Sequence, residues 1–157
     1  IDELLAAARA DAQLPPPDQE LAGFAFTAPA DGRVGPFELT FARMAHPVPT
    51  YAVRVARPGG PSLVYSGDTG PSPALIELAR GADLLLCEAS FVDGEPAAAG
   101  MHLTGAQAGA HAAAAGVGRL LITHVPPWNS REAAAAEAMT TYAGPVEAAA
   151  PRGVYEL

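Results

Sequence analysis

The segment Leu63-Val64-Tyr65-Ser66-Gly67-Asp68-Thr69-Gly70 contains the clearest structural pattern in the sequence. A short apolar run of β-forming residues stops at Gly67 and is followed by a carboxylate at Asp68. Ser72 and Pro73 then supply the cap and first-position residues typical of a helix start. Because ligands bind at the carboxyl ends of strands in open α/β sheets, we expect Asp68 to lie at a functional edge of a sheet.

The patterns around this segment predict antiparallel hairpins followed by alternating strands and helices. Period-two alternation predicts a strand over residues 37–41, and Thr104-x-x-Gln107 matches a capping box at the start of an alanine-rich helix. We expect one α/β domain, in which helices cover the outer face of a sheet, with a turn over residues 31–36. The predicted strands are 21–28, 37–41, 50–55, 62–66, 83–88, 119–123, 146–150 and 154–157, and the predicted helices are 1–12, 73–80, 105–115 and 129–142, the last opened by a capping box from Asn129 to Glu132.

Length and composition favour a soluble cytoplasmic protein. The chain has 157 residues, half of them hydrophobic, which is enough for one domain with a core. No apolar run approaches the length of a membrane span, and no signal-peptide pattern is present in a sequence that opens with Ile1. The single cysteine, Cys87, excludes an internal disulfide and fits a reducing compartment.

The charge pattern argues against nucleic acid as a partner. The net charge is −8, and all nine basic residues are arginines that are scattered along the chain. A nucleic-acid binder needs a basic patch to neutralise phosphates. A small anionic substrate held by a metal remains compatible with this composition, because a divalent cation reverses the local sign of the field.

Three metal-ligand candidates follow predicted strands: His46, Asp68 and His124. Taken singly, such an aspartate is commonly a turn or cap residue, and such a histidine is commonly a satisfied core residue. Three of them at three strand ends favour a metal centre. Imidazole and carboxylate ligands suit zinc, manganese or iron.

Other reactive residues have competing interpretations. His102 lies just before the capping Thr104, either packed on the helix start or facing the pocket as a proton donor. Glu88 ends a strand and is expected to hydrogen-bond a catalytic histidine. His111 is interpreted as a surface or packing residue among alanines, and Cys87 as a small core residue.

From residue 37 to residue 157 the sequence resembles the metallo-β-lactamase superfamily, and within it the RNase Z-like branch. The matching segments are residues 41–55 with His46, residues 65–69 with Asp68, residues 86–91 with Glu88, His102-Leu103-Thr104-Gly105, and residues 121–124 with His124. Each segment alone is weak, but their order and spacing together are specific.

The resemblance implies the αββα sandwich of that superfamily and a site with two divalent metals, for which we expect zinc, with manganese or iron as alternatives. Asp68 would be shared between the metals, with His46 on one and His124 on the other. Asp68 and His102 would be the catalytic residues, and His102 would protonate the leaving oxygen.

More narrowly, residues 65–80 and 124–132 are similar to actinobacterial proteins described as atypical class II cyclic-nucleotide phosphodiesterases. This likeness implies hydrolysis of cyclic nucleotides or related small phosphodiesters. The alternatives are an RNase Z-type endonuclease that processes tRNA 3′ ends and a thioesterase or lactonase. The link from His46 to Asp68 is too short for a tRNA-gripping arm.

One departure from the superfamily pattern concerns its His-x-His-x-Asp-His loop. The chain has four histidines, and none of them forms that pattern. We therefore expect residues 1–157 to be the C-terminal portion of one domain, inactive alone, whose partner is its own N-terminal half. A homodimer, an inactive remnant and half of a heteromeric assembly are the alternatives.

Overall fold

The computed structural model of the protein describes residues 28–94 and 100–157. Within these residues one sheet is flanked by helices. The strands are β1 (Gly32–Val34), β2 (Phe37–Arg43), β3 (Tyr51–Ala56), β4 (Ser62–Tyr65), β5 (Leu84–Glu88), β6 (Leu120–Thr123) and β7 (Val146–Ala148), and the helices are α1 (Pro73–Ala79), α2 (Gly105–Ala115) and α3 (Arg131–Met139).

The topology of the sheet brings several strand ends to one edge. Neighbouring strands follow chain order from β1 to β7. Strands β1 to β4 pair antiparallel, and β4 to β7 pair parallel through crossovers that contain α1, α2 and α3. Strand β2 therefore runs in the same direction as β4. The carboxyl ends of β2, β4, β5 and β6 all lie at the same edge, which we call the carboxyl edge.

The main core lies between the helices and one face of the sheet. Val64, Leu85 and Ile122 are buried on this face, in one cluster with Leu75 of α1 and Ala112 of α2. Burial of such side chains stabilises the fold by about 25 cal/mol per Å² of apolar surface removed from water. No helix in the described residues has the length and apolar character that a membrane crossing needs.

The opposite face of the sheet is also apolar. We call it the second face, and it carries Leu63, Leu84, Leu86 and Leu121, which are aligned across β4, β5 and β6. Together with the C-terminal segment they line a groove of about 350 Å³. Parallel strands that are apolar on both faces are typical of a sheet covered on both sides. In the described residues the helices cover only the first face.

Most predicted elements are confirmed within one or two residues of their ends. The hairpins precede the strand–helix alternation, and the helices share one face of the sheet. The capping box is present, since the Thr104 hydroxyl accepts from the Gln107 N–H at 3.2 Å and the Gln107 side chain accepts from the Thr104 N–H at 3.0 Å. Ser72 and Pro73 start α1 as predicted, although the Ser72 hydroxyl makes no capping hydrogen bond.

Three local predictions are wrong, and a fourth is confirmed in part. The turn predicted over residues 31–36 is present at Gly35 and Pro36, whereas residues 32–34 form β1, which pairs with β2. The C-terminal residues 154–157 form no strand. Asn129 is not the cap of α3, because its amide donates to the Ser90 carbonyl at 3.0 Å, and the Ser130 hydroxyl accepts from the Ala133 N–H instead. Helix α3 ends at Met139, before the predicted end at Tyr142.

The helix predicted over residues 1–12 lies outside the described residues. The strand predicted over residues 21–28 also lies outside them, apart from Ala28, which is not in a strand.

Candidate metal centre

Four predicted site residues meet at the carboxyl edge. A ligand atom from each of His46, Asp68 and His102 lies within 4.8 Å of the other two. His124 Nδ1 lies 3.0 Å from Asp68 Oδ1. The ring of His102 is 5.3 Å from that of His46 and 5.5 Å from that of His124, measured between centroids. The structure therefore brings together every residue that the sequence suggested as a ligand or proton donor.

Hydrogen bonds fix the loop that carries Asp68. The Gly70 N–H donates to the Ala45 carbonyl at 2.7 Å, which ties this loop to the residue before His46. The Thr50 hydroxyl donates to the Asp68 carbonyl at 2.8 Å. Gly67 has φ of 59°, and a Cβ there would lie 2.7 Å from the Tyr51 carbonyl, so only glycine fits the turn. Backbone contacts thus set the position of Asp68 relative to His46.

Glu88, at the end of β5, is a fully buried carboxylate at the centre of this network. Its Oε1 lies 2.7 Å from His102 Nδ1 and accepts from the Thr69 N–H at 2.7 Å. The backbone N–H of Ser90 donates to Oε2 at 3.2 Å. These donors offset the cost of burying a charge. The hydrogen bond to a site histidine that the sequence suggested for Glu88 is present, and it leaves Nε2 of His102 free to face the site.

Ser90 links Glu88 to the backbone of His124. Its hydroxyl lies 3.1 Å from Glu88 Oε2 and 3.0 Å from the His124 carbonyl. His124 has φ of 56°, in the left-handed region that non-glycine residues rarely adopt. Such strain costs on the order of 1–3 kcal/mol and tends to persist at functional sites. The strained backbone and its tether hold the His124 ring toward Asp68.

One atom of the site is buried without a partner. Nδ1 of His46 makes no hydrogen bond with the described residues. A buried ring nitrogen without a donor or acceptor is costly unless something else satisfies it. Two imidazoles and a carboxylate are the ligands that divalent zinc, manganese or iron accept, so the residues present fit a metal ion.

His111 is a buried packing residue rather than a surface residue. Its Nδ1 donates to the Gln107 carbonyl at 2.8 Å, and its Nε2 accepts from the Ser72 N–H at 3.0 Å. Because a carbonyl only accepts and an N–H only donates, this pair of bonds requires the neutral ring with its proton on Nδ1. His111 therefore joins α2 to Ser72, which immediately precedes α1 and lies four positions after Asp68 in the sequence.

Tyr65 adds a neutral hydroxyl close to the site. Burial is the main cause that raises the pKa of its phenol, and the charges of Asp68 and Glu88 raise it further. The phenol therefore stays protonated at neutral pH and can donate a hydrogen bond.

Sequence reasoning missed the positioning roles of Thr50, Ser90 and His111. For His111 the sequence did contain a signal. This histidine lies in the middle of an alanine-rich helix, where a buried polar ring needs a hydrogen-bond partner. Thr50 and Ser90 act through contacts 18 and 34 residues away, which no local pattern reveals.

Comparison with known proteins identifies the family. The family model described as "Beta-lactamase superfamily domain" matches residues 11–125. An uncharacterised protein of Mycobacterium leprae is 47% identical over 114 residues, which is 73% of this chain and 40% of that protein. The probable metallo-hydrolase YhfI of Bacillus subtilis is 33% identical over 134 residues, 85% of this chain and 54% of that protein. A ribonuclease Z of Synechococcus is 51% identical over 70 residues, 43% of this chain and 22% of that protein. The chain thus spans about half the length, or less, of these relatives.

Solved structures agree with this assignment. The crystal structure of the metallo-β-lactamase fold protein YhfI from Bacillus subtilis matches with a TM-score of 0.71 and 35% identity, over 80% of this chain and 52% of that one. The short form of human tRNase Z matches with a TM-score of 0.58 and 23% identity, over 75% of this chain and 42% of that one, which shows the fold alone. The fold is that of the metallo-β-lactamases, as the sequence predicts. The chain belongs to the beta-lactamase superfamily.

Proposed function

We propose that this chain is part of a metal-dependent phosphodiester hydrolase that acts on cyclic nucleotides or related small phosphodiesters. The observation that carries the proposal is that Asp68 lies near both His46 and His124 at the carboxyl edge, beside a His102 ring held by the buried Glu88. Metal ligands and a separately supported proton donor are two groups that can each accelerate hydrolysis of a phosphate ester.

His46, Asp68 and His124 would hold two divalent cations, with zinc as our expectation. Asp68 has two carboxylate oxygens and is the residue suited to be shared, since it lies near both histidines. When bound, such cations supply Lewis acidity, which polarises a phosphoryl oxygen and makes water a better nucleophile near neutral pH.

His102 would donate a proton to the leaving oxygen. Its Nδ1 lies 2.7 Å from Glu88 Oε1, so Nε2 is the nitrogen that would carry the transferred proton toward the site. The fully buried Glu88 holds the ring in this orientation through that contact. Glu88 is therefore a positioning residue for His102.

The active protein would include an N-terminal half in addition to this chain. A zinc ion in a catalytic site takes three protein ligands, so two ions need more ligands than the three residues supply. The second face of the sheet, with Leu63, Leu84, Leu86 and Leu121, would pack against that half, as two sheets do in a sandwich. We expect this chain alone to be inactive.

A second candidate is a ribonuclease of the RNase Z type. The relatives named ribonuclease Z favour it, and RNA cleavage is also phosphodiester hydrolysis. The net charge of −8 and the scattered arginines favour a small substrate over RNA, because RNA binding relies on basic surface.

The test compares the full-length protein with its Asp68→Ala variant on bis(p-nitrophenyl) phosphate, on cyclic nucleotides, on a tRNA precursor, and on a thioester and a lactone. We expect a loss of at least roughly 100-fold, since losing even an outer partner of a metal ligand costs 10–100-fold. Asp31→Ala is the matched control, because the Asp31 carboxylate accepts a hydrogen bond from the Phe41 N–H of β2, which is separated by β3 from the strand that leads to Asp68.

Three outcomes would overturn the proposal. Full activity in Asp68→Ala would exclude Asp68 from the centre. Cleavage of the tRNA precursor with no turnover of small phosphodiesters would favour the ribonuclease. Turnover of thioesters or lactones, with no turnover of phosphodiesters, would show that phosphodiesters are not the substrate class.

A further inference from the structure

A cleft opens beside His124 on the side of β7 and α3. It has a volume of about 350 Å³, within the range of small-molecule sites. Polar and apolar groups contribute to its wall in similar measure. Its lining residues are Ile122, Thr123, His124, Val125, Arg131 and the segment 149–151.

Arg131 gives this cleft a positive charge, and its guanidinium forms no ion pair with the described residues, although its charge also acts on the adjacent Glu132. Arg33, Arg80 and Arg119 each form an ion pair with a glutamate, whereas Arg131 has no ion pair or hydrogen bond within the described residues. The adjacent Glu132 accepts a hydrogen bond from the Ser130 hydroxyl at 2.9 Å instead. An unpaired guanidinium in a chain of net charge −8 is available to an anionic ligand.

We propose that this cleft binds a second anionic group of the substrate, a phosphate one nucleoside away from the phosphodiester that is cleaved, so that small phosphodiesters with two phosphates are preferred over a cyclic mononucleotide, which has one. The inference rests on the proposed function. His124 belongs both to the cleft and to the candidate metal centre. It lines the cleft, and its Nδ1 lies 3.0 Å from Asp68 Oδ1. A phosphodiester held at the metal centre would therefore reach the cleft past His124.

The chemistry of the cleft wall fits a nucleotide-sized group with a terminal phosphate. Guanidinium binds phosphate oxygens through paired N–H donors, which a lysine or a hydroxyl cannot reproduce. Val125 and Pro151 supply apolar surface for the sugar or base between the two phosphates. Arg131 would thus determine which phosphodiesters are preferred without taking part in the bond cleavage.

The test uses two chromogenic substrates that differ only in the second anion: thymidine 5′-(p-nitrophenyl phosphate) with and without a 3′-phosphate. For the full-length protein we expect a KM about 10-fold lower with the 3′-phosphate, equivalent to about 1.4 kcal/mol. Arg131→Gln should abolish that preference and leave kcat/KM for the substrate without the 3′-phosphate unchanged. Arg33→Gln removes the same charge at the β1 edge of the sheet and should keep the preference.

The outcomes separate this inference from the proposed function. A protein that cleaves both substrates but shows no preference, or an Arg131→Gln variant that loses activity equally on both, would refute the subsite and leave the hydrolase intact. If neither substrate is cleaved, calorimetric binding of thymidine 3′,5′-bisphosphate decides independently. Binding that is tighter than that of thymidine 5′-monophosphate, and is weakened by Arg131→Gln, supports the subsite, whereas equal binding refutes it.

Discussion

The candidate centre contains two carboxylate–imidazole pairs in very different surroundings. In the Glu88–His102 pair the atoms are 2.7 Å apart, and the side chains are 0% and 16% exposed. In the Asp68–His124 pair they are 3.0 Å apart, and the side chains are 32% and 42% exposed. The first pair is enclosed by backbone N–H donors, and the second opens to solvent at the carboxyl edge.

The difference separates the part of the site that is already formed from the part that receives a ligand. A buried carboxylate must be satisfied by the protein itself, and Glu88 has backbone donors from Thr69 and Ser90 as well as His102. Asp68 and His124 are exposed enough to exchange their mutual contact for a metal ion at little cost. We infer that the Glu88 network keeps its geometry whether or not a metal is bound.

Removing the proton donor from the buried pair should have the largest effect on rate. His102→Asn keeps an N–H that can reach Glu88 but carries no proton for a leaving oxygen. We expect kcat for bis(p-nitrophenyl) phosphate to fall by about 10²–10⁴-fold with metal content unchanged. Steady-state kinetics and metal analysis of the full-length variant check this. If His102→Asn restored the rate that His102→Ala loses, His102 would be a structural residue only.

Removing the buried carboxylate of Glu88 should mainly lower the stability of the folded protein. Glu88→Ala leaves buried donors on Thr69, Ser90 and His102 unpaired, and we expect the free energy of unfolding to fall by about 3–5 kcal/mol. Asp68→Ala should cost about 1 kcal/mol or less, since its pair is partly exposed. Urea unfolding of both variants without metal makes the comparison. Equal losses would show that the two pairs do not differ as we infer.

His111 connects the buried helix α2 to the open loop of Asp68, and its loss should have a smaller effect. His111→Leu leaves the Ser72 N–H without an acceptor, and we expect metal affinity to fall by about 10-fold. Gln at this position can place an oxygen near the Nε2 position and should restore the affinity. Competition with a chromogenic chelator measures it. A Gln variant as weak as the Leu variant at similar thermal stability would exclude the hydrogen bond as the cause.

The smallest expected effect is on the pH dependence of stability, and it involves Cys87, the buried residue that precedes Glu88 in β5. Burial, with the nearby charge of Glu88, raises the pKa of this thiol far above its usual value in the folded protein. The unfolded chain ionises the thiol at about pH 8.5, so the free energy of unfolding should be independent of this group at lower pH and decrease as the pH rises above that value. Cys87→Ala should reduce that decrease. Rapid reaction of native Cys87 with a thiol reagent would show that it is not buried.

Local sequence patterns predicted the elements well, and the physical reason is that those patterns report local energetics. The capping residues Thr104 and Gln107 act within a single turn, and the end of α2 at Gly116 needs only a residue that adopts φ of 64°. The strand that carries Glu88 is apolar up to that residue, and its side chains are buried or partly buried on both faces.

The interactions that the sequence did not reveal are long-range or depend on competition between neighbours. Asn129 and Ser130 are both good caps, and Ser130 takes the role because the Asn129 amide is engaged by Ser90. The network of Glu88 joins residues on separate loops, and only the assembled sheet edge places them together. Residues 154–157 pair with no strand of the described residues and form no strand themselves.

Metal content is the quantity on which the proposed centre depends. The full-length protein, its His46→Ala and His124→Ala variants and the control His111→Gln would be purified, dialysed and analysed by mass spectrometry for zinc, manganese and iron. We expect two equivalents in the native protein and in His111→Gln, and a loss of at least one equivalent in each of the other two variants. Unchanged metal content in His46→Ala and His124→Ala, or no retained metal in the native protein, would show that these residues do not form a metal site.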